Sequence, residues 1–480
     1  MAIRDYQPDQ ELLFWPTPRE ILPEDHLCFV VDEVVERLDL SALPDRQESV
    51  GAPAYDPRLL IKVLFYGYAT GTFSSRAIKK AVQENVAYTY LTRGQCPDFR
   101  TISDFRKDHR VFLREAFVQI VKICQGMGMV QLGRVALDGT KIRANASNQQ
   151  TYTQEELEEQ RQRIERALRA GIQKDEEEDQ RYGQAASGEE LPKDLKSSER
   201  RLTRLEEVLV QLRARGEEKI NLTDPDAHFM ATQGRIETSY NCQTAVDEGQ
   251  QVIVGVDVIT TPADSHQVKP QVEQIEATTG QKPEKLLMDS GYHSVVNVAY
   301  LEQNRIDGYL PDEDLARSQK VKFRDKEQAF DKRHFRYDQQ EDIYICPAGQ
   351  KLVRWREQRV RRLTLYRGIA CEPCEHRDRC VRGAGASRTV CRFDQEEALQ
   401  RMRQKMETEA GRAEFKKRWA LVEPVFGHFK SNLRFRQFHC RGQPGALGEF
   451  LLLCIGHNLR KLASYFTRPS HLQEKRFATV

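Results

Sequence analysis

Apolar positions in the first 130 residues recur at intervals of three and four. Leu27, Val30, Val31, Val34, Val35 and Leu38 form one such stripe, the mark of an amphipathic helix. Asp56-Pro57 opens a second helix, since Pro suits the first helical position, and Leu59, Leu60, Val63, Leu64 and Tyr66 are dense enough for burial. Ser74-Ser75 precedes a short helix over 76–85, and 101–107 and 112–125 supply two more. Over 151–220 the pattern becomes charge-rich, with Leu202, Leu205, Leu209 and Leu212 spaced three-four-three as in a coiled-coil seam. A Gly, Ser and Pro break at 182–192 divides this segment, so it reads as two long helices in an inserted hairpin; the alternative is a flexible linker. Period two takes over across 236–246 and 251–259, with Asp247-Glu248-Gly249 as the turn between two strands. A helix over 269–278 and a short strand over 306–310, stopped by Pro311, follow. Val135-Ala136-Leu137 and Leu286-Leu287-Met288 are short apolar runs, each ending at an Asp. Helices return over 412–433 and 446–464.

The order strand, insertion, hairpin, helix, strand, strand predicts an α/β fold with a mixed sheet, and matches the ribonuclease H-like order. The expected organisation is an N-terminal helical domain over 1–130 and an α/β core from 131–149, 220–315 and 400–465. A helical hairpin over 150–219 and a Cys-containing insertion over 316–399 interrupt that core, and 466–480 form a tail.

Composition sets limits. In 480 residues, 39% are hydrophobic and 30% charged, enough for a core despite the high charge. The formal net charge is only +2, so any polyanion contact must be local. From 401 to 480 there are 16 Lys/Arg against 6 Asp/Glu, whereas 151–220 has 14 against 18. The basic C-terminal stretch fits a polyanion contact or a solvated tail. Arg76, Lys79, Lys80, Arg93, Arg100, Arg106, Lys107 and Arg110 on short helices suit a helix-turn-helix-like module or an ordinary helical domain. No apolar run approaches the ~20 residues of a membrane span. Met1 to Glu11 carries Asp5, Asp9 and Glu11 and no apolar run, so export is not expected.

Asp138 and Asp289 end apolar runs and are each followed by small residues, Gly139-Thr140 and Ser290-Gly291. Two carboxylates at strand ends repel unless a cation holds them, and hard oxygen ligands suit Mg²⁺ or Mn²⁺. Many such residues only cap turns. Glu423 is the one acid in a basic and apolar helical stretch, with Lys430 seven and Arg434 eleven residues on, on the same face of an unbroken helix. Pro424 either kinks this helix or makes Glu423 its N-cap.

Eleven cysteines without an export signal read as reduced thiols. Cys371-Glu372-Pro373-Cys374, with Cys380 downstream and Cys346 upstream, has the habit of a zinc ribbon and predicts one structural Zn²⁺, with reduced thiols as the alternative and Cys391 or His376 as substitute fourth ligand. The other six cysteines read as packing. Arg434-Phe435-Arg436-Gln437-Phe438-His439-Cys440-Arg441 interleaves cations and aromatics as a DNA contact does, or is a basic turn packed by its phenylalanines.

Several segments are matched in order: 136–147 (Ala-Leu-Asp-Gly-Thr-Lys-Ile-Arg-Ala-Asn-Ala-Ser), 223–227, 240–247, 288–292 (Met-Asp-Ser-Gly-Tyr), 422–430 (Val-Glu-Pro-Val-Phe-Gly-His-Phe-Lys) and 458–462. On these the chain resembles a DDE transposase of bacterial insertion sequences, of the insertion-sequence eleven-eighty-two type in the broad four-and-five group. The resemblance spans nearly the whole chain. It implies a catalytic triad of Asp138, Asp289 and Glu423 binding two Mg²⁺ or Mn²⁺ ions on a ribonuclease H-like fold. It also implies double-stranded DNA as partner, both the element's terminal inverted repeats and the target. A homodimer in a synaptic complex, and a cytoplasmic, nucleoid-associated place in a bacterium, follow from it. Lys430 matches the last Lys of the related signature. The signature's Tyr and Arg fall on Lys416 and Trp419, with Lys417 and Arg418 beside them. Lys430, Arg434, Arg436, Arg441, Lys141 and Arg143 are the expected DNA contacts. A decayed DNA-binding copy, or a metal-dependent nuclease that only cleaves, are the rival functions.

Overall fold

The computed structural model describes residues 17–44, 54–182, 193–232, 234–318, 330, 332–359, 362–381 and 385–467. The expected break at 182–192 and nearly all of the tail lie outside these residues, apart from Tyr182, Phe466 and Thr467.

The chain is mixed α/β. Its first described part is helical: Pro18–Ile21, Leu27–Arg37, Pro57–Thr70, Ser75–Glu84, Val86–Thr92, Phe99–Asp108 and Arg110–Gly126. Asp56 caps Pro57–Thr70 by accepting from the Arg58 amide at 2.9 Å, and Gly71 ends that helix at φ 86°, a conformation glycine adopts without strain.

Strands β1 (Arg134–Arg143), β2 (Thr151–Thr153), β3 (Lys219–Asn221), β4 (His228–Thr232), β5 (Arg235–Asp247), β6 (Ile253–Ile259), β7 (Lys285–Leu287) and β8 (Asp307–Tyr309) follow. Six of them form one sheet in the order β4-β5-β1-β7-β8, with β6 also paired to β5. β1 runs antiparallel to β5 and parallel to β7, and β7 is parallel to β8. The helices Val268–Thr279 and Val295–Gln303 make the crossovers that parallel strands require.

The helix Gln443–Phe466 is buried on nearly every side. It packs against β6, Pro57–Thr70 and Arg110–Gly126, so residues 450–455 all lie within the core. Gly456 permits this, because a Cβ there would stand 2.7 Å from the Ala69 amide nitrogen. Asn458 pairs with the backbone of β6 as a strand would, accepting from Ile253 N–H and donating to Ile253 C=O, both at 2.9 Å. In the same core the buried Glu449 accepts from Tyr68 Oη and from the His439 and Cys440 amides, each at 2.7 Å, and pairs with Arg106 at 3.3 Å. One apolar cluster runs from Cys28 to Phe466 through the helices and the sheet.

Gln154–Tyr182 and Lys193–Arg215 pack together, with β2 and β3 paired at their base. Leu205, Leu209 and Leu212 of the leucine seam are buried there with Leu157, Val208 and Ile220. The cysteine region is a second, antiparallel sheet of β9 (Arg336–Asp338), β10 (Ile343–Ile345), β11 (Lys351–Gln358), β12 (Leu363–Gly368) and β13 (Thr389–Phe393), ordered β13-β12-β11-β10-β9. Among the described residues no helix is long and apolar enough to cross a membrane.

Candidate functional site

Asp138 does not end its strand. β1 continues to Arg143 because its pairing with β5 continues to that residue; only the parallel pairing with β7 stops, at Ala136 opposite Leu287. Two residues further, in step, come Asp138 and Asp289. The register therefore sets the two carboxylates side by side at the C-terminal end of β7, where α/β sheets build their sites. Asp289 caps the turn Ser290–Tyr292, accepting from the Gly291 amide at 2.8 Å.

One cation joins them. Nη2 of Arg418, on the helix Glu409–Gly427, lies 2.8 Å from Asp138 and 3.8 Å from Asp289. Burial raises the Asp138 carboxyl to about 6; Arg418 opposes that rise and the Asp289 charge adds to it.

Beneath the pair lies a polar floor. Ser239, Asn241 and Gln243 alternate along β5 and are fully buried. Asp264, in the loop after β6, accepts from Asn241 Nδ2 at 2.6 Å and from Gln243 Nε2 at 2.7 Å, and Lys141 Nζ lies 3.4 Å from the same oxygen. Gln243 in turn accepts from the Tyr292 hydroxyl. The small residues beside the aspartates make room for this floor: a Cβ on Gly139 would fall 2.5 Å from Gln243 Nε2, and one on Gly291 would fall 3.0 Å from Asp289 Oδ1 and 3.2 Å from Asp264 Oδ2.

Glu423 is placed differently. The helix runs on through Pro424 to Gly427, so Glu423 is not an N-cap. Pro424 has no N–H for the Ala420 carbonyl, and Gln251 Nε2 supplies the missing donor at 2.8 Å. Glu423 is exposed, five residues on from Arg418 and so roughly 140° round the helix from it. Among the described residues, no three His, Cys, Asp or Glu side chains are placed so as to hold a metal ion.

The expected cations gather beside this site, though not all on one helix face. A π-turn over His428–Asn432 follows the helix, and Arg434 lies beyond it at φ 60°, so the eleven-residue spacing from Glu423 loses its helical meaning. Lys430 donates to the Lys141 carbonyl at 3.1 Å, and burial lowers its pKa. Lys141, Arg143, Lys430 and Arg436 line a groove of about 390 Å³ with Arg235, Thr232 and Glu237. Arg436 also donates to the Lys430 carbonyl, and Arg441 to that of Asn145, both at 3.2 Å. Phe435 and Phe438 are buried, packed against Phe73 and Tyr240 respectively, so they cannot stack on bases. In the N-terminal helices Arg106 is buried on Glu449, while Lys79 and Arg93 pair with Asp98 and Asp32.

Cys346, Cys371, Cys374 and Cys380 line one small cavity, which neither Cys391 nor His376 lines. Of the remaining cysteines, Cys28, Cys124, Cys242 and Cys454 are buried as expected, whereas Cys96 is exposed.

Arg418 and Asp264 were not singled out from the sequence. Arg418 had a signal: it interrupts the buried stripe Gly411, Phe415, Val422 and Val425, and a cation on such a stripe needs an acid partner. The buried polar alternation of 239, 241 and 243 also marks a polar site inside the sheet. Asp264, in a Pro-Ala-Asp-Ser loop before a helix, reads as an ordinary turn residue.

Two known families match this chain. Residues 345–463 match a Transposase DDE domain, and residues 16–108 match a Transposase domain (DUF772). The first match contains Arg418, Glu423, Lys430 and the four clustered cysteines; the second covers most of the N-terminal helices. A comparison with curated proteins finds no match. A transposase family is matched on each side of the sheet that holds Asp138 and Asp289, and together the two matches indicate a DDE-type insertion-sequence transposase.

Proposed function

We propose that this transposase, of the insertion-sequence eleven-eighty-two type, binds its element's ends, cleaves phosphodiester bonds and joins the freed 3′-OH ends to target DNA. The observation that carries the reading is the pairing of Asp138 and Asp289 at the end of β7, beside a groove rich in Lys and Arg. The strand order, with two parallel strands beside an antiparallel hairpin, supports a ribonuclease H-like core.

Two adjacent carboxylates, one of them mostly buried, fit a hard divalent cation in their oxygen chemistry and their need for positive charge. Mg²⁺ or Mn²⁺, two ions in this reading, would supply water activation and stabilisation of the leaving 3′ oxygen. Asp138 and Asp289 would hold them, and Arg418 would compete with them for Asp138. Glu423 is the third carboxylate; since it lies on another face of the helix that carries Arg418, its entry asks for a change in that helix. Lys141, Arg143, Lys430 and Arg436, with Arg434 and Arg441 beyond, bind and orient the DNA backbone, because phosphoryl transfer rests on positioning and electrostatics. Asp264 positions Lys141 and the Gln243–Tyr292 link behind Asp289.

The test is incubation with Mg²⁺ and a DNA carrying the element's ends. Joined product is expected. Cleavage without joining would mark a nuclease, and binding without either would mark a decayed copy. Asp289→Asn should abolish cleavage and leave DNA binding within about twofold, since phosphate contacts supply most of the affinity. Cleavage by that variant near the wild-type rate would remove Asp289 from the reaction.

A further inference from the structure

Among the described residues the sheet β9–β13 has a small core cluster of Phe335, Tyr344, Leu352, Tyr366 and Val390. So small a core rarely holds a sheet by itself, and small sheets of this kind are commonly stapled by disulfides or a metal. Cys346 and Cys380 pack against this core, and both are free thiols.

The backbone around the thiols has the form of metal knuckles. Cys346 follows β10 and opens the turn into β11; the Gly349 amide donates to its carbonyl at 2.9 Å and the Gln350 amide to its sulfur at 3.3 Å. Cys371 follows β12, and its sulfur accepts from the Arg388 amide at 3.4 Å. Cys374 closes a turn on the Cys371 carbonyl at 3.4 Å, and the short helix Arg377–Cys380 brings in the fourth thiol. Amide donors to sulfur favour thiolates over thiols. A Cβ on Gly368 would lie 2.4 Å from Cys371 Sγ, so the backbone of β12 approaches that sulfur as only glycine allows. All four thiols line one cavity of about 20 Å³, room for a single small ion or water, and Lys351, Arg377 and Arg388 line it too.

We propose that Cys346, Cys371, Cys374 and Cys380 bind one structural Zn²⁺ that holds the second sheet together. Four thiols each lose a proton to solvent, four Zn–S bonds form, and no electron is transferred. The resulting site carries a net charge of about −2, which Lys351, Arg377 and Arg388 offset. As placed, no three of the thiols are at ligating positions, so ligation asks for rotation of the thiols into the cavity they already line. Neither Cys391, on β13, nor His376, whose ring packs on Phe330, lines the cavity, which leaves Cys346 and Cys380 to complete the Cys371–Cys374 pair.

Metal analysis of the full-length protein, made with zinc in the medium and purified without chelator, tests this. About one zinc per chain is expected. Exchange of that zinc for Co²⁺ should give thiolate-to-cobalt charge-transfer absorption. Cys374→Ser should lower zinc content about tenfold or more, since a lost ligand weakens the site steeply, while Cys391→Ser should keep it. If Cys374→Ser is insoluble, the wild-type stoichiometry and the cobalt spectrum decide. Less than about a tenth of an ion per wild-type chain, no charge-transfer band, or unchanged zinc in soluble Cys374→Ser would each overturn the proposal. None of these readouts depends on DNA cleavage, so the outcome stands apart from the proposed reaction.

Discussion

The two sheets of this protein solve the same problem by opposite means. The first, from β4 to β8, is packed by helices, and its core is continuous with that of the N-terminal helices. Its burial is so complete that polar residues such as Asn241 and Gln243 can sit inside it, provided each is hydrogen-bonded. The second sheet, β9–β13, packs around a cluster of five buried side chains among the described residues, and β11 leaves Val353 and Trp355 exposed. The large core can carry the cost of a mostly buried carboxylate, Asp138, beside a second one. The small one has no such reserve, and in our proposal the zinc bound by its four thiols supplies what the core does not.

The contrast can be broken most severely at Phe450, fully buried in the long helix. Phe450→Ala should cost about 3–5 kcal/mol, a large part of a typical total stability. Hydrogen exchange should then speed together at β1, β6 and the helix Pro57–Thr70. Leu352→Ala should cost about 2–5 kcal/mol, but only within the second sheet. Exchange should rise at β10 to β12 and stay slow at β1; a matching rise at β1 would mean that the two sheets unfold as one.

Acid should sharpen the same difference. Burial lowers the pKa of His457 to about 3, against the pull of the Gln251 carbonyl and with Lys461, His428 and Arg460 adding to the fall. A base with its folded pKa below its unfolded value of 6.5 stabilises the fold fully above pH 6.5. That contribution is lost as pH falls from there toward 3, and amounts to a few kcal/mol at most, on the order of one pKa unit per ~1.4 kcal/mol. His457→Gln, which can still donate to Gln251, should flatten the fall in large-sheet protection. An unchanged pH dependence would show that other groups govern it.

The smallest effect concerns Pro424. Gln251→Ala should cost about 1 kcal/mol by leaving the Ala420 carbonyl without its donor. With Pro424→Ala the helix regains its own N–H, so the Gln251 cost should shrink, a coupling that a double-mutant cycle measures from denaturation midpoints. Purely additive costs would show that Gln251 does not stand in for the missing amide.

Much of the large core was legible. The stripe from Leu27 to Leu38 and the alternation either side of Asp247-Glu248-Gly249 fix elements by period, and they appear as Leu27–Arg37, β5 and β6. The two aspartates were legible as residue types after apolar runs, yet the extent of β1 was not. Gly139-Thr140-Lys141 looks like a turn, and only its partner β5 makes it strand. Pro424 looked like a boundary because its compensation comes from Gln251, 173 positions earlier in the sequence. Asp264 lay out of reach for the same reason: its role is given by Asn241, Gln243 and Lys141, brought to it by the sheet. The cysteines were legible as a cluster by spacing, and Cys346, Cys371, Cys374 and Cys380 line one cavity that Cys391 does not line.

The position of Gln443–Phe466 has a consequence in time. The helices Pro57–Thr70 and Arg110–Gly126 present apolar faces that this late segment covers. At a synthesis rate of ~5–20 residues per second, they emerge tens of seconds before their partner exists. During that interval the nascent chain holds uncovered apolar surface, and chaperone binding or early aggregation would fall there. A ribosome that stops before residue 443 therefore releases a chain with its sheet strands made and its core still open.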